Sequence, residues 1–472
     1  MGRPYRDDLY RAAWRWHFYA GLLVLPVLAW LAVTGGLFVF KTQIDGYFHH
    51  ELKSVVARGV PLADGALAAA ALAAHPGEPR KYTPPATPAD SAELLVTADD
   101  GTRRSVFVDP YDGRVLGTLP EGGSVAWTIR KLHSLAYFGT VARGIVEIAA
   151  GWAVLLVVSG LYLWWPRGRK GGVLSVRGRP AQRVFWRDLH AVTGVLAGAA
   201  LVVLALTGMP WSVLWGAQIN QWANGHNFGY PAGVRVQVPM SAQRLREQGD
   251  TPWSLEQARV PMSMPAEHDA HAGHAGHEGH EGHGNPAGAS ARPQAAAGGI
   301  GLDAAVATFR RLGLAPGFSV GLPQGPTGVY TGSVYPPDLA LQRVVHLDRY
   351  SGQALVDMRY ADYGAVGRWL EWGINVHLGQ EFGVPNQAVL VVACLAIVLL
   401  CTSAAVMWWK RRPDGGIGVP PLPHDRRALR SVLLLLAVGG VLFPLVGASL
   451  AIMAAVDWFF FARPAARGGV SG

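Results

Sequence analysis

The chemistry this sequence offers sits in four histidines, which form two pairs in matching surroundings. His17 is followed by Gly21, Thr34 and Gly35 at offsets of +4, +17 and +18, and His190 by Gly194, Thr207 and Gly208 at the same offsets. His133 is followed by Phe138, Gly139, Ser159, Trp164, Trp165 and Arg167 at +5, +6, +26, +31, +32 and +34, and His377 repeats this with Phe382, Gly383, Ser403, Trp408, Trp409 and Arg411. A repeat of this period means that much of the chain is written twice. Each histidine opens or precedes a membrane-length apolar run. A histidine at membrane depth usually faces the protein interior, and its neutral imidazole is a good axial ligand for iron, so the four together suggest haem.

The elements that must position them are membrane helices. Half of the residues are hydrophobic and only 15% are charged. Five apolar stretches, at about 12–40, 142–165, 187–216, 386–409 and 428–461, approach or exceed the ~20 residues that cross a bilayer core. The predicted order is an N-terminus and first span (1–40), a first outward segment (41–141), a second span (142–165), a basic loop (166–186) and a third span (187–216). There follow a second outward segment (217–385), a fourth span (386–409), a second inner loop (410–427), a fifth span (428–461) and a tail (462–472). The first run is too long for the apolar region of a cleaved signal peptide and reads as an anchor. The fifth, interrupted by Gly439, Gly440 and Pro444, has no counterpart in the repeat. Neither side of the break is long enough to cross alone, which predicts one long kinked helix with a packing or assembly role and a C-terminus emerging outward.

Charge orients the spans. Of the 41 Lys and Arg, 17 lie in three short segments: before the first span, between the second and third, and between the fourth and fifth. The positive-inside rule assigns these segments to the cytoplasm, so the net charge of +9 calls for no nucleic acid. The long segments then face the periplasm of a bacterial inner membrane. Both carry the pattern of a small α+β module. In the first, a helix over 61–75 precedes a hairpin around Asp99-Asp100-Gly101 that ends in Asp109-Pro110-Tyr111-Asp112-Gly113. In the second, a helix over 302–312 precedes strands that end in Asp348-Arg349-Tyr350-Ser351-Gly352.

The helix-and-hairpin module ending in Val-x-x-Asp-x-Tyr-x-Gly, the Lys131-Leu132-His133 that follows and a span ending in Trp-Trp-x-Arg resemble the PepSY-associated transmembrane family of bacterial inner-membrane proteins. Trp14-Arg15-Trp16-His17 and Trp186-Arg187-Asp188-Leu189-His190 extend the resemblance, which covers roughly residues 10–410. Members are commonly iron-regulated, and some are dihaem reductases of ferric siderophores. The resemblance therefore implies electron delivery across the membrane to periplasmic metal. The fifth span and a histidine-rich insert depart from the family pattern, and PepSY modules also occur in protease-associated proteins.

Depth pairs the histidines. His17 and His190 lie at the cytoplasmic starts of the first and third spans, and His133 and His377 lie outward of the second and fourth. Parallel repeats related by an axis along the membrane normal bring each pair face to face, giving two b-type haem sites at two depths. No Cys-x-x-Cys-His is present, and Cys394 and Cys401 read as packing residues. From His133 to the Trp pair, 31 residues of unbroken helix would span roughly 46 Å, so His133 and His377 belong above the hydrocarbon or in a bent segment. The plainer readings are interfacial anchors for His17 and His190, and loop-bonded structural histidines for His133 and His377. Asp188, Arg143 and Glu147 read either as cofactor-supporting groups or as interfacial charges. The repeated Gly and Thr-Gly read as sites of close approach by a macrocycle or a helix.

A separate feature is His268, His271, His274, His277, His280 and His283, three residues apart on the outward side, with Met262 and Met264 just before. Such a tract binds Cu, Zn, Ni or Fe ions but forms no core. The expected fold is a polytopic α-helical membrane protein, with duplicated two-helix halves, a fifth helix and two small PepSY-like periplasmic modules. The expected function is dihaem electron transfer that reduces periplasmic metal, ferric siderophore first. No nucleotide-binding fingerprint is present, so the donor is a quinol or a soluble reductant. Two other readings stay open: a copper or divalent-metal accessory without redox activity, and a PepSY envelope sensor or interaction protein.

Overall fold

The computed structural model describes residues 3–166, 171–225, 238–248, 251–264, 299–413 and 416–462. They form two compact units, one from Met1–Lys41, Thr128–Asn220 and Gly373–Gly472, the other from Thr42–Trp127 and Gln221–Trp372.

Helices that belong to or lead into the first unit are α1 (Arg3–Phe38), α2 (Val125–His133), α3 (Gly139–Trp164), α4 (Arg183–Gly208), α5 (Ala365–His377), α6 (Val384–Trp409), α7 (Arg426–Leu442) and α8 (Pro444–Val456). Four stretches are long and apolar enough to cross a membrane: Tyr5–Phe38, Ala136–Trp164, Arg183–Trp211 and Val384–Trp409. They pack as a ring, with α1 against α3 and α6, and α4 against the same two. In this ring α1 and α4 lie diagonally. Small side chains at the centre, Ala32, Ala153, Ala205 and Cys401 with Leu201 and Ile397, let the helices approach closely.

The second and fourth spans do not continue the helices that carry the preceding histidines. His133 ends α2 and His377 ends α5. Two residues beyond each, the backbone turns left-handed, at Leu135 (φ 54°) and Gly379 (φ 73°). A second reversal follows at the repeated Gly139 (φ 84°) and Gly383 (φ 59°), where glycine adopts a conformation that other residues resist, and α3 and α6 begin. This bend removes the difficulty of a 31-residue helix.

The fifth apolar segment departs from the expected single helix. Phe443 leaves helical geometry (φ −124°, ψ 89°), Pro444 opens α8, and α7 and α8 fold against each other. A Cβ on Gly440 would stand 2.7 Å from the Cα of Gly447. In a continuous helix residues seven apart are separated by roughly 10 Å, so the chain has turned back on itself. Both ends of this hairpin meet the same end of α1. Asp8 accepts the backbone N–H groups of His424 and Asp425 as α7 begins, and Asp457, just after α8, accepts from Arg15 and Tyr19. The physical reason is the proline. It cannot donate to the preceding turn, and the glycines beside it let the two arms touch. Neither arm is among the stretches long and apolar enough to cross a membrane, and the two ends of the segment lie at the same end of the bundle.

The second unit is built on one antiparallel sheet. Its strands are β1 (Glu78–Thr83), β2 (Ala92–Thr97), β3 (Arg103–Val108), β4 (Val115–Pro120), β5 (Ser319–Gly321), β6 (Tyr330–Val334), β7 (Arg343–Leu347) and β8 (Ala354–Arg359). Their order across the sheet is β8-β7-β6-β5-β1-β2-β3-β4. Two meanders thus join edge to edge, with Lys81 opposite Gly321 and Tyr82 opposite Val320. Helices Asp64–Ala74 and Gly301–Arg311 share one face, and the core beneath them draws on both halves: Leu67, Leu94 and Val106 with Val306, Phe309 and Val345. The repeated Asp-x-Tyr-x-Gly is a turn. Asp109 and Asp348 accept the N–H of Tyr111 and Tyr350 at 2.9 Å, and Gly113 and Gly352 take positive φ.

Candidate functional site: two tiers of histidines

The four repeated histidines occupy two levels of the bundle. His17 on α1 and His190 on α4 lie within electrostatic reach of each other, as do His133 and His377. His17 bonds through Nδ1 to Ser159 Oγ on α3 (2.8 Å). His190 bonds through Nδ1 to the Leu400 carbonyl (3.2 Å) and Ser403 Oγ (3.3 Å) on α6. His133 Nδ1 meets Thr34 Oγ1 on α1 (3.0 Å), and His377 Nδ1 meets Thr207 Oγ1 on α4 (2.9 Å).

The offsets thereby acquire a physical meaning. The Thr at +17 from one histidine serves the other histidine of the same half, and the Ser at +26 returns the service. The Gly beside each Thr makes room for the ring. A Cβ on Gly35 would stand 3.1 Å from His133 Cε1, and one on Gly208 would stand 3.4 Å from His377 Cε1. Gly160 stands in the same way 3.3 Å from His17 Cε1. The Trp211 ring adds an edge-on contact to His377, with centroids 6.4 Å apart.

Each of the four rings is bonded through Nδ1 to a hydroxyl, and His190 to a carbonyl as well. Nε2, the nitrogen left over, can present a lone pair. Two such nitrogens at each level are the kind of donor set that a bis-histidine site requires. The levels stand far apart. His17 and Thr34 are separated by 17 residues of α1, or roughly 25 Å at 1.5 Å per residue, against ~30 Å of hydrocarbon.

Other residues singled out in the sequence lie elsewhere. Asp188 does not touch His190. It is buried, and its carboxylate accepts from Arg177 (2.8 Å) and Arg187 (2.6 Å). Arg143 and Glu147 do not pair. Glu147 is buried and accepts the N–H groups of Leu214 (2.8 Å) and Trp215 (3.1 Å), satisfying the donors of a helix start, while Arg143 reaches the Trp211 carbonyl. Cys401 lies in the bundle core and Cys394 packs near Gly36, both as free thiols. The repeated tryptophans close the basic loops: Trp164 Nε1 donates to Val173 and Trp408 Nε1 to Ile417, each nine residues on. Arg411 stacks over Trp14 (4.4 Å) and Phe18 (5.3 Å), close to His17 in sequence.

The histidine-rich residues His268, His271, His274, His277, His280 and His283 lie outside the described residues, and among the described residues no group of three or more His, Cys, Asp or Glu is placed to hold a metal ion. Two groups of site residues escaped the sequence reading. The repeated Thr reads with its Gly as a site of close approach by a macrocycle or a helix, and the repeated Ser only as part of the spacing. The left-handed residues two beyond His133 and His377 carry no shared sequence signal because one of them is Leu135; a glycine at both positions would have stood out.

A ring of four apolar helices, each long enough to cross a bilayer, marks a membrane protein with several spans. Residues 14–411 match the PepSY-associated TM region, and the chain belongs to that family. No curated protein matches it.

Proposed function

We propose that this protein is a b-type dihaem carrier that moves electrons across the bacterial inner membrane to reduce periplasmic metal, with ferric iron in a siderophore as the favoured acceptor. The observation that carries this reading is the two pairs of histidines at two levels of the bundle, roughly 25 Å apart in depth, each ring tied at Nδ1. His17 and His190 would hold one haem, His133 and His377 the other. Bound haem supplies one-electron chemistry over a potential range set by its ligands and burial. The chain's own residues exclude water from the interval between the tiers, through the core of Ala32, Ala153, Leu201, Ala205, Ile397 and Cys401. The family assignment supports the reading, and so does the excess of basic residues that would put the His17 tier at the cytoplasmic face. A quinol or soluble reductant is the expected donor. The tract at 268–283 would gather divalent metal on the acceptor side without ligating haem.

Pyridine haemochrome analysis of the purified protein tests the cofactor, and about two b-type haems per chain are expected. Stopped-flow reoxidation of the reduced protein by ferric siderophore and by Cu(II) then tests the acceptor. A preparation without a Soret band sinks the whole reading, and reoxidation by copper alone moves the acceptor to copper.

A further inference from the structure

We infer that Thr34, Ser159, Thr207 and Ser403 are positioning residues that hold all four histidines in one tautomer, protonated at Nδ1, and that they set the electron-donating strength of Nε2; this rests on the dihaem reading. The argument is about which partner can donate. Each hydroxyl has one hydrogen, and each has a nearby carbonyl on its own helix to receive it. Ser159 gives its hydrogen to the Leu155 carbonyl (2.8 Å), Ser403 to Leu400 (2.9 Å), Thr34 to Trp30 (2.7 Å) and Thr207 to Val203 (2.6 Å). With its hydrogen so used, each oxygen meets Nδ1 as an acceptor. Nδ1 must then carry the proton. At His190 the Leu400 carbonyl requires the same result on its own, since a carbonyl has no hydrogen to give.

The consequence for the opposite nitrogen is direct. With the proton fixed on Nδ1, the Nε2 lone pair is available in every ring, and a hydrogen bond accepted from Nδ1–H raises the basicity of Nε2 as a ligand. A more basic ligand favours the oxidised metal and lowers the potential. Four rings in four separate helical settings show the same arrangement, which packing alone has no reason to repeat. The halves solve it reciprocally, each span of a half carrying the acceptor for the histidine belonging to the other. In both outer sites the neighbouring Gly35 or Gly208 lets the ring stand against the helix that carries the acceptor.

The test compares Thr207→Val, which keeps shape and removes the acceptor, with Thr207→Ser, which restores it. Redox titration of the purified proteins should show one of two haem midpoints moved upward in Thr207→Val, the other unchanged, and the wild-type pair recovered in Thr207→Ser. Ser159→Ala should move the other midpoint. Loss of one haem in Thr207→Val with recovery in Thr207→Ser supports the same conclusion. A wild-type titration of Thr207→Val, or equal haem loss in both variants, overturns it. If the wild-type protein holds no haem, the reading above fails, and the tautomer is read directly instead. The ¹⁵N-histidine spectrum of the wild type minus that of His377→Gln should then show a neutral ring protonated at Nδ1, and a ring protonated at Nε2 overturns the inference.

Discussion

Arg15 on α1 donates to the carboxylate of Asp457, 442 residues further along the chain, and both side chains are buried. Tyr19, one turn along α1, donates to the same oxygen, and Arg15 also reaches the Pro420 carbonyl. Removing one partner of a buried pair strands the other charge, which costs about 3–5 kcal/mol, whereas replacing both by apolar residues of similar size is close to neutral. Asp457→Ala should therefore lower the thermal midpoint in detergent strongly, and Arg15→Met with Asp457→Leu should recover most of it. Equal losses in the single and double variants would show that the pair itself supplies the stability.

The α7–α8 hairpin predicts a labelling pattern. Single cysteines at Leu422 and Trp458, in a background lacking Cys394 and Cys401, should react with a membrane-impermeant maleimide from the same side of the membrane. Reaction from opposite sides would restore a fifth crossing.

The tiers predict separable losses. His17→Ala and His190→Ala should each remove the same half of the haem absorbance, and His133→Ala and His377→Ala the other half. Quantitative difference spectra check this, and common loss from His17→Ala and His377→Ala would break the pairing.

The four spans were legible because apolar length reports burial in lipid directly, and the repeated offsets were legible because both copies retain them. Direction was not. Residues 428–461 have the hydropathy of a span whether they cross or turn back, and what separates the two outcomes is contact between Gly440 and Gly447, which hydropathy does not encode. Partner choice was equally hidden. Asp188 sits two residues before His190, yet its carboxylate goes to the long side chains of Arg177 and Arg187. Glu147 was spaced to pair with Arg143, and the N–H groups of Leu214 and Trp215 took it instead.

Leu135 bears a left-handed backbone that its counterpart Gly379 accommodates freely. The strain is worth about 1–2 kcal/mol, offset in part by the greater freedom that glycine has when unfolded. Leu135→Gly should raise the thermal midpoint slightly and leave haem content unchanged. A fall in either would mean that the Leu135 side chain holds α2 in place.

Glu371 gives the sheet-bearing unit a pH dependence. Its buried carboxyl accepts the Ser254 N–H (2.8 Å), yet burial raises its pKa from 4.5 to about 7. The fold thus retains a proton that the unfolded chain releases. Stability from this group is intact below about pH 4.5, falls as pH rises through the interval, and is lost above about 7, a change on the order of 3 kcal/mol. Thermal melts at pH 5 and pH 8 should differ less for Glu371→Gln than for the wild type. Parallel profiles would remove Glu371 as the cause.

The joining of β1 to β5 also constrains the order of assembly. Tyr82 cannot find Val320 until the third span and more than half of the second long segment have been made. Until then the first meander leaves Leu67, Leu94 and Val106 without the covering supplied by Val306, Phe309 and Val345. Contacts this distant in sequence form late and expose an unpaired strand edge in the meantime. The first half of the unit must therefore wait, incomplete and in need of protection, until its second half has been made.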